Sequence, residues 1–459
     1  MKSNELHRGL ETRHLRLMSL GAAIGVGLFL GSGAAIKMAG PSILLGYLIG
    51  GLAVFIIMRA LGEMAVDNPV AGSFSRYACD YISPLAGYLT GWNYWFFWIV
   101  TCMAEVTAVG IYMQFWFPDS PAWIWALISL TAMAAVNFIA VKAYGEFEFW
   151  FAMIKVVTII LMIISGLGMI VFGFGNNGVA TGIGNLWSHG GFFPNGLTGL
   201  LVALPLVTFA YGGIEMLGVT AGEAKNPTQS IASAINSVFW RILIFYVGAL
   251  FVVMSIYPWN EIGTTGSPFV MTFEKIGIPA AAGIINFVVI TSALSSCNSG
   301  IFSTGRMLNN LSFQGQALKI FKHINLKGVP VYAILFSVFM LLFGVVLNYV
   351  APKQVFMWLI AISTFASMWT WFIILVAHIK FKKNFEYKKV SNICVPFFPI
   401  TSYLTIAYLF VVAGVMFFKE DLRMALIIGV IWMFFLVALY YILGYNKKNN
   451  IAELTKGKI

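Results

Sequence analysis

The sequence predicts an all-α polytopic membrane protein of twelve transmembrane helices, and three observations carry that prediction. Of its 459 residues, 60% are apolar and only 10% are charged. The mean hydropathy is +0.87. Apolar runs of about 20 residues, the length a helix needs to cross ~30 Å of hydrocarbon, recur along the whole chain. A soluble domain carries about 25% charged residues, so this composition cannot clothe a water-facing surface. Twelve spans of about 22 residues would occupy ~264 positions and leave ~195 for loops and tails. A soluble enzyme, a disulfide-rich secreted domain and a disordered regulator are excluded.

The runs, separated by charge, Gly or Pro, lie near 17–36, 41–63, 85–115, 121–141, 149–174 and 196–221, then near 237–257, 279–305, 330–350, 354–378, 399–418 and 424–444. They divide the chain into a tail at 1–16, five spans within 17–174, five more within 175–378, a final pair within 379–444 behind a basic loop, and a tail at 445–459. Two linkers exceed a bare turn. Residues 66–84 read as a short helix lying at the membrane interface. Residues 258–278 read either as a partly helical lid over an outer vestibule or as an ordinary loop.

Charge fixes the expected orientation. With the N-terminus inside, inner segments hold 22 of the 28 Lys and Arg, while Lys37, Lys275, Lys353, Lys419 and Arg423 fall outside and Lys155 lies within a span. Short loops rich in Lys and Arg stay in the cytoplasm, so both termini are expected there. The formal charge of +11 therefore reports topology. No basic stripe interleaves with aromatics, so no nucleic-acid partner is expected. The cysteines (Cys79, Cys102, Cys297, Cys394) show no CxxC spacing and suggest neither a disulfide framework nor a metal site. Residues 1–16 are polar and no small-residue cleavage site follows at signal length, so no removable signal peptide is expected.

Two spans carry breaks. The first reads Gly21-Ala-Ala23-Ile24-Gly25-Val26-Gly27, which allows either unwinding or the close packing of a small-xxx-small pattern. The sixth reads Pro205-Leu-Val-Thr-Phe209-Ala-Tyr211-Gly212-Gly213-Ile-Glu215, with a Pro, a Gly pair and an acid at mid-depth. Interrupted helices one and six are what two inverted repeats of five spans would give, and such breaks point to a substrate site at the midplane. Half-helix N-termini hold a carboxylate, and exposed carbonyls hold an ammonium. That pairing suits an α-amino acid. The expected contacts are the Val26 and Gly27 amides for the carboxylate, and carbonyls near Ala23, Phe209 and Gly212 for the amine. Gly25, Tyr211, Gly213 and Glu215 are the expected structural and gating positions around the breaks.

Three ionisable groups lie within spans, each costing roughly 2.5–3.5 kcal/mol on insertion scales. Glu105 in span three reads as polar glue between helices. Lys155 in span five reads as a lysine snorkelling to the inner interface, or as a buried amine that gains and loses a proton. Glu215 reads as a tie for the short half-helix or as a coupling acid. All five histidines (His7, His14, His189, His323, His378) fall in loops or near span ends, which argues against a histidine relay. No H-E-x-x-H, paired aspartates, nucleophile–base pair, Walker A sequence or repeated filter is present, so no catalytic residues, ATP-driven pump or channel are expected.

Several local patterns occur in a telling order. They are Arg8-Gly-Leu-x-x-Arg13-His14, Gly25-Val-Gly27-Leu-Phe29, Ala39-Gly-Pro41-Ser42, Met58-Arg-Ala-Leu-Gly62-Glu63-Met64 and Gly145-Glu-Phe-Glu148-Phe-Trp150 with Lys155. Tyr211-Gly-Gly-Ile-Glu215, Gly222-Glu-Ala-Lys-Asn226-Pro227 and Gly305-Arg-Met-Leu308 follow. Over nearly the whole chain this order resembles the bacterial amino acid transporter family of the amino acid–polyamine–organocation superfamily, and within it the proline, histidine and threonine permease group. The resemblance implies a leucine-transporter-like 5+5 inverted repeat plus two helices. It implies import of a neutral L-amino acid, with proline, threonine and histidine the leading candidates, by proton symport across a bacterial inner membrane. A sodium-coupled or exchanging carrier and an amino acid sensor are the alternatives. It places Lys155 where related carriers hold a sodium ion, with Gly21, Ile24 and Ser295 or Ser296 as partners, and it sets Glu105 facing the substrate and Phe209 over it as a gate. The expected partners are the amino acid and the bilayer; no cofactor beyond the proton and no obligate protein partner is expected.

Overall fold

In lipid a backbone must satisfy its own polar groups, and helix does so within one segment. Helix is what these apolar runs form in the structure, a computed structural model that describes residues 24–70, 72–139, 141–220, 227–263, 267–275, 279–352, 354–384 and 393–446. The order begins with a π turn at Gly27–Gly31, then α1 (Ser32–Ala39), α2 (Ile43–Asp67), α3 (Ser73–Tyr81), α4 (Pro84–Met113), α5 (Ala122–Ile139) and α6 (Val141–Phe172). It continues with α7 (Gly196–Ala210), α8 (Met216–Thr220), α9 (Pro227–Arg241), a π segment Ile242–Gly248, α10 (Ala249–Ile256) and α11 (Pro268–Lys275). The last five are α12 (Pro279–Phe313), α13 (Val331–Val350), α14 (Val355–Asn384), α15 (Ile400–Phe418) and α16 (Glu420–Ile442).

Among the described residues, ten helical stretches are long and apolar enough to cross a membrane, and Gly196–Ala210 is a shorter apolar helix. One of the ten, Gly27–Asp67, is 41 residues long. Straight, it would reach about 61 Å, twice a hydrocarbon core. It is not straight: Gly40 takes φ 63° and Pro41 sits in a 3₁₀ turn, which ends α1 and starts α2. Gly40 is required there, because a Cβ would run into Pro194.

The helices have the polarity of a lipid-embedded bundle. Large apolar side chains cover the outside, among them Trp150, Leu161, Phe339, Phe410 and Phe434, while Ser, Thr, Asn and the acids Glu63, Glu105, Glu148 and Glu215 are buried. A soluble surface does not expose apolar area on this scale. On α6 the two faces separate by helical spacing. Trp150, Ile154, Val157, Leu161 and Ile164 point outward, whereas Glu148, Ala152, Lys155, Ile159 and Met162 are fully buried. Helices α4 and α12 form the centre of the bundle, and α15 and α16 lie at its edge.

Each of the two long linkers contains a short α-helix, and a third linker is folded without one. The 66–84 segment contains α3, which buries Phe74, Tyr77 and Ala78 and exposes an Arg76–Asp80 ion pair of 2.9 Å. The 258–278 segment contains α11, whose Phe269 packs edge-on to Phe29 at 4.9 Å. The third long linker, 173–195, went unremarked in the sequence because its glycines look like plain loop. Positive-φ turns at Gly173, Gly175, Gly178, Gly182, Gly190 and Gly191 fold it. It is pinned by Asn185 donating to the Ser255 carbonyl at 2.9 Å, Trp259 donating to the His189 carbonyl at 2.8 Å and Asn195 donating to the Met38 carbonyl at 2.9 Å.

Close approach of helices sets local tolerances. A Cβ on Gly110 of α4 would lie 2.7 Å from the Ala122 carbonyl oxygen, a backbone atom that cannot step aside. Gly110→Ala is therefore expected to cost about 1–3 kcal/mol by overpacking, read as a lower melting midpoint of the detergent-solubilised protein.

Candidate substrate and coupling site

The non-helical residues Ile24 and Gly25, where the described part of the first span begins, meet the interruption of the sixth span in the middle of the bundle. Ile24 and Gly25 are not helical, and the chain tightens into the π turn only from Gly27, with the Leu28 and Phe29 amides both donating to the Gly25 carbonyl. In the sixth span, α7 ends at Ala210, a turn occupies Tyr211–Glu215, and α8 begins at Met216. Gly213 takes φ 95° in that turn, which a side chain would resist. Gly27 and Ala210 are so close that a Cβ on Gly27 would lie 2.6 Å from the Ala210 Cα. Gly21 and Ala23 lie outside the described residues.

Between the breaks is a narrow gap lined by Gly25, Gly27, Glu105, Phe209, Gly212 and Ser296 of the expected set, together with Phe97, Thr101 and Ala210. It has room for about one water molecule, and anything larger would have to move one of its walls. Larger grooves, such as the one edged by Leu347, Trp358 and Met424, are almost wholly apolar and lie between outer helices. They suit acyl chains.

Glu105 takes a position that the sequence reserved for something else. Its Oε2 accepts the Val26 amide at 3.4 Å, where a substrate carboxylate was expected. A Cβ on Gly25 would lie 2.6 Å from Glu105 Oε1 and 3.3 Å from Ser296 Oγ, so Gly25 makes room for that carboxyl group. The group is both a tie between α4 and the first break and a lining residue of the gap. Phe97, Thr101 and Glu105 stand four residues apart on α4 and share a face. Starting from Glu105, that spacing finds two of the three lining residues that sequence reasoning missed. Thr101 Oγ1 also pairs with Ser363 Oγ of α14 at 2.6 Å.

Lys155 does not snorkel. Its Nζ donates to the Ile24 carbonyl at 3.1 Å and to Ser295 Oγ of α12 at 3.0 Å, and the side chain is fully buried. Ser292 donates to the same Ile24 carbonyl at 2.7 Å. Of the two serines expected beside the amine, Ser295 bonds it, and Ser296, one position round the helix, lies instead in the gap beside Gly25 and Glu105. Ser295 in turn donates to Glu148 Oε1 at 2.6 Å. Glu148 belongs to the Gly145–Trp150 motif, and its spacing of seven from Lys155, about two turns, is the sequence signal that both share one face.

The remaining expected positions act as braces. Glu215 Oε2 accepts from the Trp371 indole at 3.0 Å, tying the start of α8 to α14. Tyr211 donates to the Tyr47 carbonyl at 2.7 Å and packs on Tyr246 at 4.5 Å, while Tyr246 donates to the Ala210 carbonyl at 2.9 Å. His378 lies near an end of α14, as the sequence suggested, but it is fully buried and 2.6 Å from Glu63 Oε2; Lys382 meets the other oxygen of Glu63 at 2.5 Å.

The contacts of Gly25 and Gly27 differ in kind, and so should their variants. Gly25→Ala meets the end of a side chain that can turn away, so it is expected to displace Glu105 from Val26 and to lower the melting midpoint less than Gly27→Ala does. Gly27→Ala meets backbone and is expected to lose about 1–3 kcal/mol. Thermal unfolding of the two variants in detergent checks this; equal midpoints would contradict it.

The amino acid permease model matches residues 14–456. Several Bacillus subtilis (strain 168) proteins are similar along nearly their full lengths. The uncharacterized amino acid permease YtnA is 64% identical, covering 98% of this chain and 98% of its own length. The probable threonine/serine transporter YbxG is 53% identical over 100% of this chain and 99% of its own length, and the amino-acid permease AapA is 45% identical over 96% and 95%. With its apolar helices, buried acids and paired helix breaks, the chain belongs to the amino acid permease family, a family of membrane transporters and not of enzymes.

Proposed function

We propose that this permease imports a small neutral L-amino acid, threonine first, in symport with a proton and by alternating access. In this reading the chain crosses the bacterial cell membrane twelve times with both termini in the cytoplasm. The count follows if Gly27–Asp67 crosses twice around Gly40, and α7 with α8 crosses once. Spans one to five and six to ten are the two inverted repeats, with one break in each. The observation that carries the coupling reading is the Lys155 ammonium bridging the Ile24 carbonyl and Ser295. A buried cation there does what a bound sodium ion does elsewhere, and an amine can release its charge by losing a proton.

The geometry supports a sequence of events. Glu105 holds the Val26 amide while the gap is empty. A substrate carboxylate competes for that amide and displaces Glu105, whose charge then faces the substrate ammonium. Phe209 and Phe97 close over the side chain. Deprotonation of Lys155 weakens the bridge between the first break and α12, so the inner side can open. The narrow gap favours a small side chain, and Thr101 offers a hydroxyl to a hydroxyl. The name of the relative YbxG, a probable threonine/serine transporter, points the same way.

Two measurements test this reading in proteoliposomes containing the whole protein. An inward proton gradient is expected to drive accumulation of radiolabelled threonine without sodium. Lys155→Ala is expected to abolish it, and so is Lys155→Arg, because a guanidinium with a pKa above ~12 keeps its charge. Accumulation by both variants at the parent's level would remove Lys155 from coupling. For selectivity, Thr101→Val is expected to weaken threonine at least about tenfold relative to alanine, the loss of one hydrogen bond in a dry site. An unchanged ratio would remove Thr101 from side-chain recognition, and a panel of twenty competing amino acids fixes the substrate.

A further inference from the structure

We propose that Glu148 is the proton acceptor for Lys155, and that Ser295 carries the proton between them. The inference rests on the proton-coupled reading above and adds the route by which the proton leaves. Its basis is the direction of two hydrogen bonds. Lys155 Nζ donates to Ser295 Oγ at 3.0 Å, and Ser295 Oγ donates to Glu148 Oε1 at 2.6 Å. Every donor already points from the amine toward the carboxylate. One concerted shift therefore moves a charge without moving a heavy atom. The Nζ–H bond breaks as its proton bonds to Oγ, and the Oγ–H bond breaks as its proton bonds to Oε1. Lys155 is left neutral, Ser295 is unchanged apart from its reversed hydroxyl, and Glu148 becomes a neutral acid.

The surroundings keep this pair out of water. Lys155, Ser295 and Glu148 are fully buried. Glu148 is ringed by the α12 side chains Ser295, Asn298 and Ser299, and Asn298 is itself held by Asn137 of α5 at 2.8 Å. Among the described residues, the charged group acting on Glu148 is Lys155, and those acting on Lys155 are Glu148 and Glu105. A buried ammonium and carboxylate neutralise each other in either protonation state, so transfer between them avoids leaving one lone charge in a medium where it costs several kcal/mol. Lys155 lies about two turns, or ~10 Å, further along α6 than Glu148. With the start of α6 at the cytoplasmic side, the step carries the proton inward. Neutralising Lys155 removes the charge assistance from its bond to the Ile24 carbonyl, so the same step loosens the first break.

The test compares the pH profile of threonine uptake with proton-driven accumulation in proteoliposomes of the full chain. The parent is expected to accumulate threonine and to show a pH-dependent rate; a parent indifferent to the proton gradient would overturn the coupling reading itself. Given a coupled parent, Glu148→Gln is expected to lose accumulation at least tenfold and to flatten the pH profile. Its amide can donate back to Ser295 but cannot take a proton. Parent-like accumulation and profile in Glu148→Gln would overturn the proposal. So would a fall by the same factor at every pH, which is what a merely structural tie gives. Should that variant fail to fold, Ser295→Ala and Ser295→Thr decide: the first is expected to uncouple and the second, which keeps the hydroxyl, to restore coupling. Equal coupling in Ala and Thr variants would overturn the role of Ser295 in the route.

Discussion

A backbone carbonyl that leaves its helix inside a membrane must find a donor from somewhere else, and much of this molecule is arranged around one such group. The Ile24 carbonyl lies at the first break and accepts from Lys155 on α6 and from Ser292 on α12. Without water in the hydrocarbon, leaving it bare would cost several kcal/mol. Satisfying it with an ammonium brings a charge into the bundle, and the charge needs an acid. Glu148 meets that need through Ser295. One unwound residue thus accounts for a lysine, two serines and a glutamate buried far from water.

The opposite side of the same break has a matching problem with donors. Unwinding frees amides as well as carbonyls, and Glu105 takes the Val26 amide. Its carboxyl group resembles the end of an amino acid, and in the proposed reading a substrate carboxylate that displaces it exchanges one buried hydrogen bond for another. Such an exchange would alter the packing of α4 against the Val26 segment with little net cost, as a carrier that releases its cargo requires.

Around these polar contacts the bundle is held by close packing at small residues. Gly27 lets the first break touch Ala210 at the end of α7, and Gly110 lets α4 touch the start of α5. Braces from aromatic side chains hold the second break: Tyr246 on the Ala210 carbonyl, Tyr211 on Tyr47 and Trp371 on Glu215. The Glu63–His378–Lys382 group ties α2 to the end of α14 where the lysines gather. These contacts join elements far apart in sequence, so the breaks can move as units with their partners.

The sequence by itself determined the all-helical class, the approximate ends of the long apolar helices and the interruption of the sixth span, because each follows from local rules. Hydrocarbon thickness sets the length of an apolar run, and Gly or Pro marks where a helix cannot continue. The expectation that Lys155 would meet Ile24 and Ser295 came from family resemblance and agrees with the contacts found. Tertiary structure alone decided which face of each helix looks inward. Helical spacing puts Glu148 on the face of Lys155, and Phe97 and Thr101 on the face of Glu105, but it does not say which of those faces meets the other helices. Tertiary structure also decided that Glu105 occupies the Val26 amide and that Ser296 turns away from the amine. Those outcomes depend on distances between helices dozens or hundreds of residues apart, and a linear pattern records the period of a helix but not the neighbour its face will meet.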